Sequence, residues 1–115
     1  MDFPHSTALL ENAKSNQLYR KLVDQLKKDF TLANVPFELA EEVTTEELRN
    51  SLHEKLYYLI LEKFNEYLNL LYIVDVPEKA FKQIPVTDVV DVAEQVSFLV
   101  LKRELQKVWL KEQYS

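Results

Sequence analysis

The chain contains no glycine among its 115 residues, where average usage would supply roughly 7%. Glycine enters left-handed backbone without steric cost, and type I′ and II′ hairpins and most left-handed helix caps depend on it. A chain without it is poorly suited to hairpin-rich architectures and well suited to long helices joined by few connections. The expected class is therefore all-α. The expected architecture is an up-down bundle of three long helices plus one or two short ones, with residues 1–115 forming one domain.

Proline and capping residues divide the chain. A first helix is expected from Ser6 or Thr7 to about Ala33, with Leu18, Tyr19, Leu22, Val23, Leu26, Phe30 and Ala33 in one apolar stripe. Pro36 ends it, because proline drives the preceding residue out of helical geometry. Residues 37–43 are a candidate short helix. Thr44-Thr45-Glu46-Glu47 then matches a capping box, in which Thr44 and Glu47 exchange side-chain and backbone hydrogen bonds.

A second helix over residues 45–73 is expected to be the central element. Leu56, Ile60, Phe64, Tyr67 and Leu71 centre its apolar face, and Leu52, Leu59, Leu61, Leu68 and Tyr72 widen it to more than about half the circumference. Residues 78–83 fit a single helical turn between Pro77 and Pro85. Thr87, Asp88 and Asp91 open a last helix that runs to about residue 113. Its apolar stripe changes side midway: Val89, Val92, Ala93, Val96, Leu99 and Val100 share one face, while Phe98, Leu101, Leu105, Val108 and Trp109 lie roughly opposite.

Composition removes several functional classes. Apolar residues at 47% and charged residues at 29% match an ordinary globular chain rather than a disordered or membrane-spanning one. No apolar run approaches the roughly 20 residues a bilayer requires. Cysteine is absent, which excludes disulfides, thiolate nucleophiles and cysteine-held metals. The first residues lack the basic flank and apolar core of a secretory signal, so a cytoplasmic location is expected. The net charge is −5, with Glu38, Glu41, Glu42, Glu46 and Glu47 in one stretch free of Lys and Arg. No basic block exceeds two residues, so binding to nucleic acid or to an anionic membrane is not expected.

Without glycine, phosphate-cradling loops, the dinucleotide fingerprint and the nucleophile elbow are absent as patterns. The chain has two histidines, His5 and His53. A carboxylate di-iron bundle needs Glu three positions before a histidine, and Asn50 stands there instead. No cofactor or metal is expected, and catalysis is less expected than binding. Residues 39–49 mimic the apolar spacing of a helix-turn-helix, but the turn is too short and the second helix would meet phosphates with glutamates.

Two binding surfaces remain. The wide apolar arc and the face switch of the last helix exceed what three helices cover, which points to an assembly module that pairs with a second copy or another protein. The expected interface residues are Tyr58, Leu101, Leu105 and Trp109. The alternative is a small-ligand or sensory bundle whose pocket is lined by His53, Tyr57, Tyr67 and Tyr72, since tyrosine offers an apolar body with a polar tip.

Overall fold

Six helices build the chain, in a computed structural model that describes residues 2–85 and 87–114. They are α1 (Ser6–Ser15), α2 (Tyr19–Leu32), α3 (Thr45–Glu62), α4 (Phe64–Val74), α5 (Glu78–Lys82) and α6 (Val89–Tyr114). No strand occurs among the described residues. The expected all-α class is therefore observed, but two of the three long helices are each divided. Residues 37–43 form an irregular connection with a turn at 41–42 instead of a helix.

Helix starts follow local chemistry. Thr44 Oγ1 accepts the Glu47 amide at 3.1 Å and Glu47 Oε1 accepts the Thr44 amide at 3.0 Å, completing the capping box of α3. The backbone hydrogen bond from Thr44 is the main reason the Glu47 carboxyl is held below its ordinary pKa. At α6, Asp88 Oδ1 accepts the Asp91 amide at 2.8 Å, satisfying a donor that the first helical turn leaves without a partner. His5 caps α1 through Nδ1, which accepts from the Ala8 amide at 3.2 Å.

Helix ends show how a chain without glycine still closes its helices. Gln17, Asn34 and Asp75 adopt positive φ of 59°, 59° and 71° after α1, α2 and α4. Each is followed by a residue whose amide reaches back five positions: Leu18 to Ala13, Val35 to Phe30 and Val76 to Leu71, at 2.8, 2.9 and 3.0 Å. These are Schellman closures, and the three residues that make the long bond are all buried apolar side chains. Burial of Leu18, Val35 and Val76 stabilises a left-handed turn that costs a non-glycine residue roughly 1–2 kcal/mol. Gln17 is solvent-exposed, so Gln17→Gly relieves the strain without removing a buried contact. A gain of about 0.5–1 kcal/mol is expected, read as a higher urea midpoint with an unchanged slope; an unchanged or lower midpoint would contradict the strain at this turn.

The first division falls at Ser15-Asn16-Gln17, residues that favour turns because they compete for backbone hydrogen bonds. Asn16 Nδ2 donates to the Asn12 carbonyl at 2.9 Å. The second falls at Lys63, whose φ of −141° and ψ of 59° interrupt an otherwise helical run. No proline or glycine lies there. A straight helix over residues 45–73 would leave much of its wide apolar arc uncovered. The turn at Lys63 sets Tyr67, Leu70, Leu71 and Val74 into the core, where α4 meets α2, α3 and α6.

The hub is α6, not the expected second helix: α6 touches every other helix, and its pairing with α3 is the most extensive. Ala93, Val96, Val100, Leu101, Leu105 and Val108 are all buried along it. On the second apolar side read in its sequence, Leu101, Leu105 and Val108 are covered by other helices of the same chain, whereas Trp109 stays exposed. One apolar cluster joins Leu9, Leu22, Phe30, Leu48, Leu56, Leu70 and Leu101. The radius of gyration is 13.3 Å, matching the ~13 Å of a compact chain this long.

Candidate functional site

The largest run of uncovered apolar side chains lies on α3 and α4, either side of Lys63. Tyr57 and Leu61 are one turn apart on α3, and Phe64, Leu68 and Tyr72 follow at successive turns on α4. Their exposure ranges from 38% at Tyr57 to 80% at Tyr72. Tyr58 lies one position round α3 from Tyr57 at 46% exposure, with the Lys55 ammonium 5.8 Å from its ring centre. The Phe64 ring packs on Tyr67 at 5.4 Å between centres. Exposed aromatic residues at single-turn spacing on two consecutive helices are suited to receive another protein surface.

The four expected interface residues separate. Tyr58 and Trp109 are exposed, whereas Leu101 and Leu105 are fully buried. The two leucines face the core made by this chain, which leaves them no surface for a partner. The stripe on α4 was read as core because a continuous helix places Phe64 and Leu68 beside Ile60 and Leu71. The turn at Lys63 breaks that register.

The four expected pocket residues also lie in unlike settings. Tyr67 is buried, and burial raises its hydroxyl pKa above the ordinary value. Tyr57 and Tyr72 are on the exposed stripe. His53 is half-buried, and its Nε2 lies 3.0 Å from the Val90 carbonyl oxygen, where it donates to tie α3 to the start of α6. Five clefts stand out on the surface, and none is lined by any of these four residues.

A buried charge cluster was missed by the sequence reading. Asp29 on α2 and Glu104 on α6 are buried, and Lys107 Nζ joins them. The ammonium donates to Asp29 Oδ2, lies 3.1 Å from Glu104 Oε1 and donates to the Val74 carbonyl at 3.1 Å. Gln25 Nε2 donates to Asp29 Oδ1 at 3.1 Å, and Lys111 Nζ donates to Gln25 Oε1. Arg103 closes the end of α4, donating to the carbonyl and carboxylate of Asp75 at 3.1 and 2.8 Å. Two cations of α6 thus meet the negative end of the α4 dipole.

Burial raises the Glu104 pKa to about 9, with the neighbouring Asp29 carboxylate adding to the shift and Lys107 opposing it. Glu104 is therefore a neutral acid at pH 7 that donates to Asp29. Burial also pushes Asp29 upward, but hydrogen bonds from Glu104, Lys107 and Gln25, with the Lys107 charge, hold it below its ordinary value. For Lys107, burial acts downward and is outweighed by the two carboxyl groups, so its pKa is raised. The cleft between α2 and α6, about 230 Å³, reaches Gln25 and Lys111 but is not lined by Asp29, Glu104 or Lys107. Through these contacts the cluster joins α2, α4 and α6. Its sequence signal was Gln25 and Asp29 falling, at helical spacing, on the apolar side of α2 beside Leu22 and Leu26.

Among the described residues no group of three or more His, Asp or Glu is placed to hold a metal ion. Among the described residues no helix is long and apolar enough to cross a membrane. No family model, curated protein or solved structure matches the chain.

Proposed function

We propose that the protein is a non-catalytic helical interaction module that assembles as a homodimer through the exposed face of α3 and α4. The observation that carries this reading is the run Tyr57, Leu61, Phe64, Leu68 and Tyr72, five large apolar residues left uncovered at one-turn spacing on two consecutive helices. With aromatic side chains burying about 150–250 Å² each when covered, the exposed parts of the stripe offer on the order of 500 Å² per copy. That approaches the ~800 Å² per partner of a standard interface and lies in the upper part of the ~300–600 Å² that the largest apolar patch of a monomer reaches, a size that is often functional.

A second copy is favoured over a strongly charged partner by the flanking charges. Glu54, Glu62 and Glu66 stand beside Lys55 and Lys63, a near balance that neither repels a copy of itself nor selects a highly basic or acidic surface. A two-fold axis across the stripe would place each α4 against its counterpart in an isologous contact. In this reading α1–α2, α3–α4 and α6 serve as the three arms of an up-down bundle, and the absence of cysteine accords with a cytoplasmic site of action.

Light scattering across a dilution series tests the proposal. A dimer is expected at protein concentrations of about 100 µM. The double substitution Phe64→Glu with Leu68→Glu should weaken association roughly 100-fold or more. Both positions are exposed, so far-UV circular dichroism and the thermal midpoint of the monomer should hardly change. A wild-type monomer at that concentration, or a double variant that still dimerises, overturns the reading.

A further inference from the structure

A second surface lies on another flank of α3, beside the connection that leaves α2. The largest of the five clefts opens there, with a volume of about 560 Å³, inside the roughly 300–1,000 Å³ range of small-molecule sites. Val35 and Leu59, otherwise buried, line it, and Pro36 and Tyr58 add exposed apolar surface. Leu59 stands two positions from Tyr57, about 160° round the helix, so the cleft and the stripe occupy different sides of α3.

The charge of this cleft runs against that of the chain. The chain carries −5, yet Lys55 and Lys63 line the cleft against one carboxylate, Glu66. Neither lysine has an ion-pair partner among the described residues. Lys55 instead holds its ammonium 5.8 Å from the centre of the Tyr58 ring. Lys55, Leu59 and Lys63 recur at four-residue spacing along α3 and its C-terminal cap, which sets an apolar floor between two cations. A solvated lysine needs no partner. Two that border one apolar concavity favour a ligand whose charged end meets an ammonium while its apolar body leaves water.

We propose that this cleft binds a small aromatic monocarboxylate. The carboxylate takes the ammonium groups of Lys55 and Lys63, and the ring covers Val35, Pro36 and Leu59 beside the ring of Tyr58. An aromatic body suits the flat faces that Tyr58 and Pro36 present. A single negative charge suits the lining, because two lysines and one glutamate leave a net charge of one; Glu66 would repel a ligand of higher charge, such as a phosphate ester. The site lies apart from the dimer surface, so its test is independent of the assembly state.

Isothermal titration with 3-phenylpropanoate and indole-3-acetate at up to about 10 mM detects weak small-ligand binding, with 3-phenylpropanamide lacking the charge and acetate lacking the ring. Saturable binding of at least one aromatic carboxylate is expected, with the amide and acetate each at least about tenfold weaker. The double substitution Lys55→Gln with Lys63→Gln should bring 3-phenylpropanoate and its amide within about twofold of each other. Tyr58→Ala should weaken both together. Amide shifts at Val35, Tyr58 and Lys63 in nuclear magnetic resonance spectra should report the same titration. Lys63 and Tyr58 are exposed and Lys55 is half-buried, so the variants remain folded, which far-UV circular dichroism checks. The proposal is overturned if neither carboxylate binds in that range, if acetate or the amide binds as tightly, or if the double lysine variant keeps the preference for the carboxylate.

Discussion

Replacing Lys107 with methionine is expected to lower the unfolding free energy at pH 7 by about 3–5 kcal/mol, the usual cost of leaving a buried ion without its partner. Methionine keeps the unbranched stem that packs beneath the ammonium, so the loss reports charge and hydrogen bonding rather than volume. Two acceptors depend on this ammonium, the Asp29 carboxylate and the Val74 carbonyl at the end of α4, and Glu104 Oε1 lies 3.1 Å from it. Asp29 suffers most, because it is buried and holds its negative charge in part through Lys107. Adding Asp29→Asn to Lys107→Met removes the stranded charge, and the double variant should recover at least about 1–2 kcal/mol of the loss. Urea unfolding of the two single variants and the double variant measures the coupling. A loss below about 1 kcal/mol for Lys107→Met would mean that water replaces the ammonium and that the cluster does not tie α2, α4 and α6 together.

Glu104 sets the second large effect, which is one of pH. Its pKa is raised from 4.5 to about 9 in the folded chain, chiefly by burial. The folded state therefore keeps a proton that the unfolded state releases above about pH 4.5. Stability is highest, for this group, below that pH and falls as pH rises through the window up to about 9, by at most about 1.4 kcal/mol per unit. Asp29 is shifted downward from 3.8 and Lys107 upward from 10.5. Asp29 loses its contribution only at acid pH below this window and Lys107 only above it, so Glu104 dominates the interval between.

Glutamine at position 104 donates to Asp29 as the protonated acid does but never ionises. Glu104→Gln should thus match the wild type near pH 5 and exceed its stability by about 2–4 kcal/mol at pH 8. Parallel pH profiles for the two proteins between pH 5 and 9 would show that Glu104 does not hold its proton. Because Asp29 and Glu104 share that proton across α2 and α6, the titration belongs to the pair rather than to either residue alone.

The sealed cluster and the open stripe illustrate two ways in which α6 governs the surface. Lys107 and Arg103 both reach the end of α4, the helix that presents Phe64, Leu68 and Tyr72. In the proposed dimer, stabilising that end would hold the stripe in a fixed orientation and so lower the ordering cost of association.

What the sequence by itself determined is local. The lack of glycine and the helical spacing of apolar residues specified the all-α class, Thr44 and Glu47 specified the start of α3, and the acidic residues from Asp88 onward specified the start of α6. Each is an interaction within one turn, so neighbouring residues suffice to establish it. The same locality explains the failures. The turn at Lys63 carries no breaking residue; beyond it α4 packs against α2 and α6, where α3 packs on α1 and α6. The left-handed turns at Gln17, Asn34 and Asp75 are stabilised by Leu18, Val35 and Val76 reaching a core built from distant segments. Leu101 and Leu105 read as surplus apolar surface until α6 is seen to touch every other helix. Only tertiary structure decided which apolar residues were left over, because burial depends on what the rest of the chain brings to each face.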